Sequence, residues 1–307
     1  MQQLVIRRLY QALFVLVGTT LIVFVLLHLT GGSIARSLLP EWSTEEQIAE
    51  FEAKLGLDLP IHEQYLQWLS GVVRGDFGNS FQTGLPAMDI ILERLPNTIQ
   101  LALVAQTIAI LVAFPLGMLA ALRRGSIWDR LSMGLALLGQ SMPHFWLGLM
   151  LILLVSVRAG WLPVSGRESP ESIILPAITL ATGPIALLSR LVRSGMIEVM
   201  EHDFVRTARA KGLTERGVLA GHALRNALLP LITVIGLEIG SLLNGSVVIE
   251  AVFAWPGIGR LLVESLQRRD IPVVEAGVLL VAVIYVGLNL IVDILYGWVD
   301  PRVRYSG

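Results

Sequence analysis

The chain of 307 residues contains no cysteine. That excludes a disulfide framework, a thiol nucleophile and any cysteine metal site. Charge is scarce too. Asp, Glu, Lys and Arg make up 15% of the chain, against about 25% in an average soluble domain. Lysine occurs only as Lys54 and Lys211, and neither is followed by Ser or Thr. The Gly-Lys-Ser/Thr of a phosphate-binding P-loop is therefore missing. A formal net charge of −1 gives no overall pull on a polyanion, so nucleic acid is not an expected partner. No His/carboxylate group has a metal-ligand spacing: His62-Glu63 lacks the second His of H-E-x-x-H. No nucleophile–base pair is evident, so no catalytic residue is assigned and an enzyme is not expected.

What the chain has is apolar surface. Hydrophobic residues make up 54% and the mean hydropathy is +0.69. A soluble fold of this length cannot bury so much. A bilayer core takes about 20 apolar residues per spanning helix, and six runs of that kind occur: Leu9–Leu29, Thr98–Leu122, Leu131–Val157, Ile173–Ser189, Leu228–Phe253 and Ala276–Val292. The reading is an all-α polytopic membrane protein with six transmembrane helices. The first run is too long for the apolar part of a signal peptide, and no A-x-A site follows it, so it is expected to stay as a helix.

Basic residues set the orientation. With the N-terminus in the cytosol, 14 of the 23 Lys and Arg residues fall on cytosolic segments, among them Arg7, Arg8, Arg123, Arg124, Arg130, Arg209, Arg302 and Arg304. Both termini are then inside. The chain divides into a first helix (1–30), an external loop (31–95), a core of helices two to six (96–298) and a cytosolic tail (299–307). Within the external loop Ser43-x-x-Glu46 is a capping-box pattern, and Gly56 can end the helix it starts. A second short helix from near Pro60 lines up Ile61, Tyr65, Trp68, Leu69 and Val72 and stops by Gly75.

The segment 199–229 sits between spans four and five. Asp203 can cap a helix running to Lys211, with basic residues in its last turn. Gly212 supplies a left-handed stop, and Thr214 can cap a second helix. The expectation is a compact helix–turn–helix knob. Within the spans, Ser141, His144, Glu238 and Asn244 are candidates to line a pathway, because polar groups are costly against lipid. Pro143 breaks the helix ladder beside His144. Asp293 is expected near the cytosolic end of the last span, and Asn244-x-Ser246, a glycosylation pattern, lies inside a span.

These residues resemble a family. Arg206-Thr-Ala-Arg-Ala-Lys-Gly212 followed by His222-Ala-Leu-Arg-Asn-Ala-Leu-Leu-Pro230 looks like the "EAA" loop of ABC importer permeases, closest to the dipeptide/oligopeptide/nickel class with a long first external loop. Gly75-Asp-Phe-Gly-x-Ser80, Leu95-Pro-Asn-Thr98, Ser141-Met-Pro-x-Phe-Trp146, Glu250-Ala-Val-Phe-Ala-Trp-Pro-Gly-Ile-Gly259, Arg268-Arg-Asp270 and Asp300-Pro-Arg-Val-Arg304 follow in the same order. The motif's Glu is Arg206 here and its first Ala is Thr207; Glu238 stands where many relatives have Gln, and Ala251 where they have Thr. The resemblance implies the type I importer permease fold in a bacterial cytoplasmic membrane. It implies a second permease subunit, a paralogue by the family pattern, with two ATPase subunits and an external substrate-binding protein. ATP and Mg would be bound by those ATPases, and no cofactor by this chain. Asp203, Arg206, Ala208, Arg209, Lys211 and Gly212 would form the coupling helix that docks on an ATPase. The alternative is a secondary transporter or channel using Glu238 or Asp293 as an ion site.

Overall fold

In the computed structural model of the chain, the residues described are 2–29, 36, 39, 40, 42–218, 221 and 224–299. Among them there is no β-strand, only an isolated antiparallel bridge between Asn79 and Pro86. The helices in chain order are α1 (Gln2–Leu29), α2 (Glu45–Leu55), α3 (Ile61–Val73), α4 (Ala87–Leu122), α5 (Ile127–Ser141), α6 (His144–Leu151), α7 (Ile174–Met200), α8 (Asp203–Ala210), α9 (Glu215–Val218), α10 (Leu224–Val252), α11 (Ile258–Gln267) and α12 (Ile271–Val299). A π-helical stretch, Ile152–Arg158, continues α6, and a 3₁₀ turn, Pro170–Ile173, leads into α7.

Among the described residues, five helical segments are long and apolar enough to cross a membrane: Ile6–Leu27, Ala87–Leu122, Pro170–Met200, Leu231–Val252 and Ile271–Val292. The remaining span expected over 131–157 is not one straight helix. It is two, Ile127–Ser141 and His144–Arg158, bent by 101°. The cause is local. A residue before proline is driven out of the α region, and Met142 is extended, with φ −82° and ψ 134°. Pro143, with no N–H to continue the ladder, then opens α6.

The described chain forms two compact units: residues 97–256 with the end of α12 from 287, and residues 2–96 with 257–286. In the first unit α4 buries Ala102, Ala105, Ala109 and Ala113 along one face. This stripe packs in one cluster with Ala177, Ala181 and Leu188 of α7 and with Leu242 and Ile249 of α10, closed by Phe253 and Trp255. In lipid there is no hydrophobic drive between helices, so small residues that let backbones approach supply the packing. Gly117 marks one such close approach. A Cβ there would lie 2.6 Å from the Ser189 carbonyl oxygen and 2.7 Å from Val192 Cβ.

In the second unit α1 is held by α3. The Thr20 and Tyr65 hydroxyls are 2.9 Å apart, and Phe24 packs edge-on against Tyr65 at 5.3 Å between centroids. The apolar face of α3 thus rests on protein through Tyr65 and Trp68. The other side of α1 leaves Tyr10, Leu13 and Phe14 exposed, as a lipid-facing helix does. The cap of α2 is one residue later than the Ser43/Glu46 pattern. Thr44 accepts from the Gln47 N–H at 3.3 Å, and Gln47 accepts from the Thr44 N–H at 3.0 Å. Ser43 instead donates its N–H to the Pro40 carbonyl, which leaves Thr44 as the extended residue that a cap requires. Gly56 ends α2 in the left-handed region, with φ 69°. A cluster of Ala87, Ile91, Ile258, Val273 and Ala276 makes the core of this unit.

Candidate functional site

The knob after α7 is built by alternating constraint and exposure. Helix α7 stops at Met200, and His202 is extended with φ −73° and ψ 149°. His202, not Asp203, is the N-cap of α8, and it makes no side-chain cap; its Nδ1 lies 2.9 Å from the Glu198 carbonyl oxygen of α7. Asp203 is instead the first helical residue, where its charge meets the positive end of the helix. One face of α8 is apolar: Val205 and Ala208 are buried with Val218 of α9 and pack against Val199 and Met200. The opposite face shows Asp203, Phe204, Arg206 and Arg209 to solvent, and Lys211 and Leu213 continue it.

The turn between the two short helices depends on Gly212. Its φ is +79°, a region that costs a side-chain-bearing residue strain. Its N–H bonds to the Arg209 carbonyl at 2.9 Å, and the Leu213 N–H reaches back to Ala208, so the end of α8 is satisfied by a left-handed stop. Thr214 then accepts from the Gly217 N–H at 3.3 Å. The structure so brings Asp203, Arg206, Arg209, Lys211 and Gly212 together on one exposed surface. Ala208 lies inside the knob. Residues 219, 220, 222 and 223, and thus His222 of the family motif, lie outside the described residues.

The four pathway candidates are not gathered in one place by any hydrogen bond among the described residues. His144, at the start of α6, is half-buried and 3.2 Å from the Thr182 hydroxyl of α7. Ser141 is exposed and donates to the Leu137 carbonyl of its own helix at 2.8 Å. On α10, Glu238 is half-buried and Asn244 exposed. The side chain of Asp293 lies outside the described residues. No group of three or more His, Asp and Glu residues is placed to hold a metal among the described residues.

Two polar clusters were not expected from the sequence. In the first, Asn97 donates to the Pro256 carbonyl at 2.7 Å, and the Trp255 indole N–H donates to the Asn97 carbonyl at 3.0 Å. Arg167 bonds both Asn97 Oδ1 and Gln100 Oε1, and lies 5.7 Å from the Trp255 ring centre. The neighbouring Thr98 hydroxyl donates to Glu250 Oε1 at 2.8 Å, and Glu250 is fully buried. In the second cluster Asp270 accepts from the Ser80 hydroxyl at 2.5 Å and from the Phe81 N–H at 2.8 Å. Gln82 donates to the Arg268 carbonyl at 3.1 Å. The signal was present in the sequence: Leu95–Thr98 with Glu250–Gly259, and Gly75–Ser80 with Arg268–Asp270, are runs of the family pattern, and each run turns out to be the partner of another.

Comparison with known proteins agrees with this architecture. Residues 113–305 match the family model described as binding-protein-dependent transport system inner membrane component, and residues 1–102 match the N-terminal model of the same systems. The chain is 43% identical to the dipeptide transport system permease protein DppB of Escherichia coli strain K12, over 100% of both chains. It is 42% identical to the oligopeptide transport system permease protein AppB of Bacillus subtilis, over 98% of this chain and 99% of that one. Among solved structures, the inward-facing MetNI methionine ABC transporter aligns over 69% of this chain and 97% of that chain, with a TM-score of 0.58 and 20% identity. That likeness is one of fold.

Proposed function

The chain belongs to the family of binding-protein-dependent transport system inner membrane components, and we propose that it is the permease subunit of an ATP-driven importer that carries peptides or related small solutes. It is a multi-pass protein of the inner membrane. The observation that carries the substrate class is the 43% identity, over the whole of both chains, to a dipeptide permease. The assembly we propose has a second, paralogous permease, two ATPase subunits and an external binding protein that delivers the solute. The energy comes from the ATPases, because this sequence has no P-loop. The helix pair around Gly212 docks on an ATPase, so that closure of the ATPases moves α7 and α10, between which the knob lies. His144, Glu238 and Asn244 then face the solute path, and both termini lie in the cytosol.

The test is reconstitution. The chain is co-expressed with the second permease and the ATPases proposed for it, purified, and placed in proteoliposomes with the binding protein. Labelled dipeptide uptake is expected to need ATP on the ATPase side and to persist when a proton ionophore collapses the gradient. Uptake that follows an ion gradient and ignores ATP would overturn the reading. Orientation is checked in the same vesicles. Cysteines placed singly at Thr83 and Arg209 are expected to label from opposite sides of the sealed membrane, with no native cysteine to interfere. Labelling from one side only would overturn the topology.

A further inference from the structure

The unit built from residues 2–96 and 257–286 carries an open cavity of about 210 Å³ lined by Phe24, Gln64, Trp68, Phe77, Phe81 and Glu275, among others, with the exposed Gln67 beside them. It is more than large enough for a water molecule, which needs ~10–15 Å³. Four aromatic rings line it beside Leu57, Ile271 and Pro272, and Glu275 is the single charged side chain among the described lining residues. Glu275 is 4% exposed, and its Oε1 is buried with no hydrogen-bond partner. The indole N–H of Trp68 is buried without a partner as well. Buried polar groups in native proteins are nearly always satisfied. Here a carboxyl oxygen and an indole N–H are both left without a partner, in two residues that line one cavity.

The chemistry that completes both is specific. A carboxylate held in aromatic surroundings calls for a cation that donates hydrogen bonds, and ring faces add their own attraction for such a cation. The unpaired indole N–H calls for an oxygen acceptor on the same molecule. A metal ion fits poorly, because one carboxylate among aromatic rings does not supply the several oxygen ligands of a hard cation. We propose that this cavity is a binding site for a primary ammonium group that carries an oxygen acceptor a few atoms away, with Glu275 holding the ammonium and Trp68 donating to the oxygen. An unblocked peptide N-terminus has this pattern, and so does an ethanolamine lipid headgroup. His144, Glu238 and Asn244 belong to the chain's other unit, and the inference does not rest on the import reading.

The full-length chain in phosphatidylcholine nanodiscs is titrated calorimetrically with ethanolamine, with dialanine and with N-acetyl-dialanine. In a second arm, nanodiscs with equal phosphatidylethanolamine and phosphatidylcholine are examined by native mass spectrometry for retained lipid. Glu275→Gln keeps the shape and removes the charge, and is expected to weaken ammonium binding at least tenfold in whichever arm shows it. Trp68→Phe keeps an aromatic ring, smaller than the indole, and removes the donor, and is expected to weaken it severalfold. Binding of dialanine but not of N-acetyl-dialanine assigns a soluble amine; selective retention of phosphatidylethanolamine assigns the lipid. The proposal is overturned if neither arm shows binding, if acetylation makes no difference and no lipid is selected, or if both variants bind as the wild type does. Uptake is measured separately in proteoliposomes, so loss of this site and failure of transport are told apart.

Discussion

Arg193 of α7 grips Asp129 of α5 with two parallel bonds, Nε to Oδ1 at 2.7 Å and Nη2 to Oδ2 at 2.8 Å. The same carboxylate accepts from the Gly125 N–H at 2.9 Å. The pair ties the first half of the broken span to the long helix that leads to the knob. A bidentate geometry is the strong form of an ion pair. Asp129 is almost fully buried, while Arg193 keeps 29% of its side chain exposed. Removing the acid strands a partly buried cation. The expected loss for Asp129→Ala is about 2 kcal/mol, below the ~3–5 kcal/mol of a fully buried pair. Thermal unfolding of the purified assembly measures it. Asp129→Ala combined with Arg193→Ala is expected to cost less than the two single changes added together, since the double variant strands neither charge. Additive losses would mean that the pair contributes nothing as a pair.

Gly117 makes a second prediction, on packing. A methyl at this position would press on backbone, the Ser189 carbonyl at 2.6 Å, which cannot rotate away. Gly117→Ala is expected to destabilise by ~1–3 kcal/mol, the usual cost of overpacking a tight core. Gly18 of α1 is the control: a Cβ there meets nothing within 4 Å. Gly18→Ala is expected to be neutral or slightly stabilising, because alanine is the better helix former. Melting temperatures of the two variants, taken side by side, decide it.

Thr98 and Glu250 are 152 residues apart and joined by one buried bond. Thr98→Val keeps the shape and deletes the hydroxyl. A buried acceptor that loses its donor costs about 1–3 kcal/mol. Thr98→Ser keeps the donor and is expected to lose less than Thr98→Val. No loss in Thr98→Val together with a loss in Thr98→Ser would show that the methyl matters and the hydroxyl does not.

The sequence makes some of this legible and hides the rest for physical reasons. The apolar runs were visible because the bilayer fixes their length. Gly56 and Gly212 were visible because a left-handed turn has few alternatives to glycine. Pro143 announced a break, but not a 101° one. That angle belongs to the packing of α6, where a Cβ on Gly148 would already lie 3.0 Å from the Phe253 ring. The caps of α2 and α8 shifted by one residue because Ser43 and Thr44, or His202 and Asp203, are both able to stand at a helix entrance, and the choice depends on which backbone is extended. The bonds from Asn97 to Trp255 and from Ser80 to Asp270 join residues far apart in sequence. No local pattern carries such a pairing.

The knob offers the sharpest test of coupling. A Cβ at Gly212 meets nothing within 4 Å among the described residues, so close packing is not what selects glycine there. Gly212→Val meets two other obstacles. The φ of +79° strains a β-branched residue by roughly 1–2 kcal/mol, which loosens the turn that sets α9 against α8. The added volume also stands on the exposed surface shared with Arg206, Arg209 and Lys211, the face we propose for the ATPase. Gly212→Val is therefore expected to leave membrane insertion intact and to lower ATPase capture, or to leave ATP hydrolysis running without uptake. Gly212→Asn separates the two causes, because asparagine tolerates the left-handed region while adding comparable bulk. If backbone strain is responsible, Gly212→Asn recovers much of the coupling; if contact volume is responsible, it fails as Gly212→Val does. A pull-down of the ATPase with paired measurements of hydrolysis and uptake in proteoliposomes reads all of these. Wild-type values of all three in both variants would reduce the knob to an ordinary connecting loop.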